Sequence, residues 1–115
     1  MLYSKVRDGI LRILEWLGLR RRVGQYTVIN CDALPEMPKK NVLYVLGDPP
    51  YEWAVGFLCP CNCGALIQLN LLPKARPCWK LKRGSHGEPS LYPSVWRKVG
   101  CKSHFFLEEG EIKWV

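Results

Sequence analysis

The chain has 115 residues, 48% of them hydrophobic, with 17 Lys and Arg against 10 Asp and Glu and a formal charge of +7. That length holds one small domain with a real core, in a size range where chains often add a staple. No apolar run approaches the roughly 18 residues of a membrane-spanning helix, and Lys5, Arg7, Asp8, Arg12 and Glu15 interrupt the stretch where a signal peptide would need unbroken apolar residues. A cytoplasmic protein is expected, in a reducing compartment where clustered cysteines hold metal more often than they pair.

Residues 2–19 predict an amphipathic helix. Val6, Ile10, Ile13, Leu14 and Leu17 recur at spacings of three and four, which places them on one face. Gly18, the run Arg20-Arg21-Arg22 and Gly24 follow, cations suiting the negative end of the helix dipole and Gly24 serving as a stop and hinge. Residues 1–24 therefore read as a basic helix and hinge, and residues 25–115 as a β-rich metal-binding domain. Short strands are expected over 26–29, 42–46, 53–58, 65–71 and 78–81, with the turn Gly47-Asp48-Pro49-Pro50 closing the second. The last of these alternates with lysines and reads as an edge strand. Residues 83–90 read as a loop, Pro93-Ser94-Val95-Trp96 as one helical turn, and 104–107 and 111–114 as a hairpin joined by Glu108-Glu109-Gly110.

Among the six cysteines, Cys59-Pro60-Cys61-Asn62-Cys63-Gly64 and Cys101-Lys102-Ser103-His104 carry the clearest chemistry. Each cluster sits at the end or start of an expected strand. Zinc takes four tetrahedral ligands from thiolate and imidazole, and two short turns facing each other supply them. Cys-x-x-His is a familiar ligand spacing. Cys-x-Cys-x-Cys offers three thiolates, of which Gly64 favours Cys63, with Cys59 or Cys61 completing a Cys3His site. The competing readings are disulfides, buried free thiols and an iron–sulfur cluster. Cys101-x-x-His104 followed by a Phe-rich strand looks like half of a Rieske motif, but the other half would need Cys-x-His where the chain has Cys61-Asn62-Cys63. Cys31 and Cys78 read as packed thiols, and His86 as an exposed loop residue.

The stretch 74–98 places Lys74, Arg76, Lys80, Lys82, Arg83, Arg97 and Lys98 among Trp79, Tyr92 and Trp96. Such a face suits single-stranded nucleic acid, an acidic protein partner or plain solvation around core tryptophans. Catalysis finds little support in the pattern: no Ser/His/Asp or Cys/His dyad stands apart from the metal cluster, and Glu108, Glu109 and Glu111 sit at a hairpin turn. Five candidate ligands fill a metal site rather than leave it open, so the metal is expected to be structural.

The string Phe57-Leu58-Cys59-Pro60-Cys61-Asn62-Cys63-Gly64, Trp79, Pro93-Ser94-Val95-Trp96 and Gly100-Cys101-Lys102-Ser103-His104-Phe105-Phe106 through Gly110 to Trp114 resembles a bacterial family of small metal-binding proteins classed as a domain of unknown function. The resemblance covers residues 25–115. Members are found beside genes for a ubiquitin-like modifier, an E1, an E2 and a JAB-type protease, which implies ubiquitin-like pathway partners and an accessory role in protein modification or phage defence. The family pattern has glycine where this chain has Asn62, a residue that tolerates left-handed backbone angles.

The expectation is thus a mostly β, zinc-ribbon-like or Rieske-like domain behind a basic helix. It would act as a zinc-binding adaptor for a protein partner, with a [2Fe-2S] electron-transfer protein or a nucleic-acid-binding zinc module as alternatives.

Overall fold

A computed structural model describes residues 25–115, and the expected helix over 2–19 with its arginine run and Gly24 hinge lies outside the described residues. Among the described residues eight strands form two four-stranded sheets. The first holds β1 (Thr27–Cys31), β2 (Val42–Leu46), β3 (Ala54–Leu58) and β4 (Leu66–Asn70) in that order. The second holds β5 (Lys80–Arg83), β6 (Pro89–Trp96), β7 (His104–Glu108) and β8 (Glu111–Trp114), again in order. Only β1 and β2 run parallel; every other pair is antiparallel. Among the described residues there is no helix, and none long and apolar enough to cross a membrane.

Residue chemistry explains the layering. β2 is Val-Leu-Tyr-Val-Leu and buried at every position, as an unbroken β-branched and aliphatic run demands. β4 and β7 alternate, so each gives one face to the core. Side chains of both sheets meet in one cluster, with Leu43, Val45, Val55, Phe57, Ile67 and Leu69 from the first and Leu91, Val95, Phe105 and Leu107 from the second. Phe57 lies edge-on to Tyr26 (6.1 Å, 89°) and to Phe105 across the sheets (6.2 Å, 81°). A backbone bond fastens the same seam, the Tyr26 amide donating to the Gly110 carbonyl at 2.7 Å, and the Gly110 amide in turn donates to the Pro89 carbonyl at 2.7 Å within the second sheet.

The stretch 93–96 corrects the expected helical turn, and strand begins already at Pro89 inside the expected loop. The reason is a bulge. Leu91 faces Leu107 and Val95 faces Phe105, so Tyr92, Pro93 and Ser94 together stand opposite Phe106 alone. A proline is tolerated at such a point because the ladder asks no amide of it.

Candidate functional site

The Cys59–Gly64 loop closes the β3–β4 hairpin at the edge of the core. The Cys59 amide donates to the Ala65 carbonyl at 2.8 Å, and the Asn62 amide to the Cys59 carbonyl at 3.1 Å. Asn62 (φ 69°) and Gly64 (φ 83°) take the left-handed angles that fold the chain back on itself. Cys101 arrives from the β6–β7 connection, so the two sheets each send ligating atoms to one place.

Four sulfurs gather there. The ligand atoms of Cys59, Cys61, Cys63 and Cys101 all lie within 4.8 Å of one another, with Cys59 Sγ 3.4 Å from Cys61 Sγ and 3.6 Å from Cys101 Sγ. A tetrahedral zinc–thiolate centre needs sulfur–sulfur edges of about 3.8 Å, given Zn–S bonds near ~2.3 Å. The donor set therefore fits a metal ion. Both cysteines that the spacing left as alternatives, Cys59 and Cys61, are in the group. Hydrogen-bond donors surround the sulfurs. Arg97 Nη1 reaches Cys101 Sγ at 3.1 Å and Cys63 Sγ at 3.4 Å, and Ser103 Oγ lies 3.1 Å from Cys101 Sγ. The thiols respond to these contacts. Side-chain and backbone hydrogen bonds from Ser103 hold Cys101 down to about 5. The Ala65 amide, then Cys61, holds Cys63 below the usual thiol range. Ser103 also pulls on Cys61, but the thiols of Cys59 and Cys63 outweigh it and push Cys61 up to about 11. The thiolates of Cys63 and Cys101, formed this easily, are ready ligands.

His104, the fifth residue expected at the metal, is not part of this group. It opens β7, and its Nε2 lies 3.0 Å from Ser94 Oγ. The imidazole stacks on Trp96 with ring centroids 4.9 Å apart and planes 12° from parallel. Trp96 is opposite His104 in the ladder, which is why the rings meet, and it is 58% exposed. Alternation puts Val95 and Phe105 into the core and Ser94, Trp96 and His104 on the outer face. The bulge at Tyr92-Pro93-Ser94 turns the serine hydroxyl towards the ring. With the imidazole proton on Nδ1, Nε2 accepts from the Ser94 hydroxyl, an arrangement that activates serine as a nucleophile. The sequence reading missed Ser94. Ten residues separate it from His104, and only the register of β6 against β7 brings the two together.

His86 is exposed and shares a hydrogen bond with Ser85, and Cys31 and Cys78 are half-buried away from the four sulfurs. Trp79 is half-buried, its Nε1 donating to the Ser94 carbonyl at 3.3 Å.

Comparison with curated proteins and with solved structures finds no match. A family model does match, over residues 30–115, and on that match the chain belongs to the family described as bacterial ubiquitination-like system serine protease (BubE).

Proposed function

We propose that the chain is a zinc-stapled serine protease of a bacterial ubiquitin-like pathway, with Ser94 as nucleophile and His104 as general base. The observation that carries this is the 3.0 Å contact between Ser94 Oγ and His104 Nε2, in a chain whose family is described as a serine protease. In the reaction Ser94 Oγ forms a bond to the carbonyl carbon of the scissile amide, and its proton passes to His104 Nε2. His104 returns that proton to the leaving amine as the C–N bond breaks. Water then attacks the ester, giving its proton to His104, which passes it to Ser94 Oγ as the ester C–O bond breaks and the acid departs. The stack on Trp96 fixes the ring plane through these steps.

The metal would do no chemistry on the substrate. Cys59, Cys61, Cys63 and Cys101 supply four thiolates, which fills a tetrahedral zinc and leaves no open position. Its part is to pin the β6–β7 connection, three residues before His104, to the end of β3. A [2Fe-2S] centre of Rieske type needs two histidines, and the two histidines of this chain are engaged with Ser94 and Ser85.

The adaptor reading keeps the zinc and the pathway partners but leaves the Ser94–His104 contact unused. A fluorophosphonate probe separates the two. Covalent labelling located at Ser94 by mass spectrometry, absent in Ser94→Ala and reduced at least about 100-fold in His104→Ala, is expected of the protease. An unlabelled wild-type protein that still captures a pathway component would establish the adaptor instead.

A further inference from the structure

Ser94 lies on the part of β6 that has lost its outer neighbour. β5 accompanies β6 only as far as Tyr92, which faces Lys80. Just before that, the chain is bonded to the other sheet, the Trp79 amide donating to the Asn70 carbonyl at 2.8 Å. On the opposite side β7 covers Val95 and Trp96. The direction of the remaining backbone groups follows from the ladder. The Arg97 amide donates to the Ser103 carbonyl at 2.8 Å, which makes Arg97 and Ser103 a bonded pair. Bonded and non-bonded pairs alternate along antiparallel strands. Val95 is then bonded to Phe105, and Trp96 meets His104 in a non-bonded pair. The N–H and C=O of Trp96 point away from β7, towards the side that β5 has vacated. The Ser94 carbonyl points the same way and takes the Trp79 indole at 3.3 Å. Among the described residues no strand pairs with this edge.

The surroundings carry one sign of charge. Lys80, opposite Tyr92, and Lys98 are exposed beside the edge, and Lys98 Nζ stands 5.2 Å from the Trp96 ring centroid. Within 74–98 the one carboxylate is Glu88, and its Oε2 is occupied by the His86 amide at 3.0 Å in the β5–β6 turn.

We propose that the substrate enters as an extended peptide segment that adds to this edge as a strand, exchanges hydrogen bonds with the Trp96 backbone and carries acidic residues near Lys80 and Lys98. The proposal rests on the protease reading and names its substrate class. Continuity with the nucleophile supports it: a segment bonded to Trp96 passes directly beside Ser94. Strand addition also supplies affinity through main-chain bonds and leaves selectivity to flanking side chains. The exposed cations select for acidic partners and repel basic ones.

The test uses the full chain as Ser94→Ala, so that bound peptide survives. Fluorescein-labelled octapeptides of acidic, neutral and basic composition are titrated in by anisotropy. The acidic peptide is expected to bind at least about tenfold tighter than the basic one at low salt, the gap closing as salt rises. Lys80→Glu/Lys98→Glu should reverse the order. N-methylation of the acidic peptide, one amide at a time, should weaken binding about tenfold at one or two alternate positions and leave their neighbours unaffected. Equal binding of all three peptides, no binding of any, or a flat N-methyl scan would overturn the proposal. Fluorophosphonate labelling of the wild-type protein reports separately on the dyad. Labelling retained with charge selectivity absent sinks the edge alone, and labelling absent from the wild type sinks the dyad as well.

Discussion

Replacing Phe57 with leucine tests how the two sheets are joined. The Phe57 ring meets Tyr26 and Phe105 edge-on at centroid distances of 6.1 and 6.2 Å, and it is fully buried. Each aromatic pair of that geometry contributes about 0.5–1.5 kcal/mol beyond the area it buries. Losing both, with imperfect refilling by the smaller side chain, costs about 2–3 kcal/mol. Unfolding entropy near 2.1 cal/mol/K per residue, taken over residues 25–115, amounts to about 0.19 kcal/mol/K, so Tm should fall by about 10–15 °C. The assay is a calorimetric melt of the metal-loaded protein, with Phe105→Leu and the double variant completing a cycle. Coupling of about 0.5–1.5 kcal/mol is expected between the two positions. A Tm shift below about 3 °C, or strict additivity, would refute the argument and leave the metal as the main fastening between the sheets.

Four further outcomes follow from the site. Elemental analysis should find about one zinc per chain in the wild type and in His104→Ala, with Cys59→Ser depleted; loss of the metal in His104→Ala would place the histidine at the ion after all. Arg97→Ala removes the guanidinium that donates to Cys63 and Cys101, and competition against a chelator should show metal affinity lowered about tenfold or more; unchanged affinity would show that those contacts do not tune the sulfurs. In metal-stripped protein the Cys101 thiol, held down to about 5 by Ser103, should be alkylated by iodoacetamide well below pH 7, whereas Cys61, pushed up to about 11, should not. The sign is that of a depressed group. The stability Cys101 gives the folded state is complete above its unfolded thiol value near ~8.5 and is lost as pH falls towards about 5. Ser103→Ala should move the alkylation midpoint of Cys101 upward, as read by mass spectrometry across pH; an unmoved midpoint would remove Ser103 as the cause.

Much of the strand framework is written in local composition. β2 and the β7–β8 hairpin can be read directly, because an unbroken apolar run and a Glu-Glu-Gly turn each have few structural solutions. The cysteine group is legible for a different reason: three thiols in one short loop have little else to do. What could not be read is the content of long-range register. Pro89 and Pro93 made β6 look broken, since a proline inside a strand ordinarily denies it an amide. A bulge removes that objection, but a bulge is visible only once the partner strand is known. The same register decides the fate of His104. Cys101 and His104 share a ligand-like spacing, yet the first lies in a connection and the second on a strand, where pairing turns its side chain to the face that carries Ser94.

That two-faced strand has an evolutionary consequence. Along β6, Leu91 and Val95 are buried while Tyr92 and Trp96 are exposed. Residues that hold the molecule together alternate with the exposed residues that the proposed peptide would meet. If a peptide pairs with this edge as proposed, drift at Tyr92 or Lys98 would alter what is recognised while barely touching foldability, whereas Trp96 is held by its stack on His104. A lineage pressed to change its targets, as one locked in conflict with rapidly varying opponents would be, can explore that face without first acquiring compensating changes in the interior.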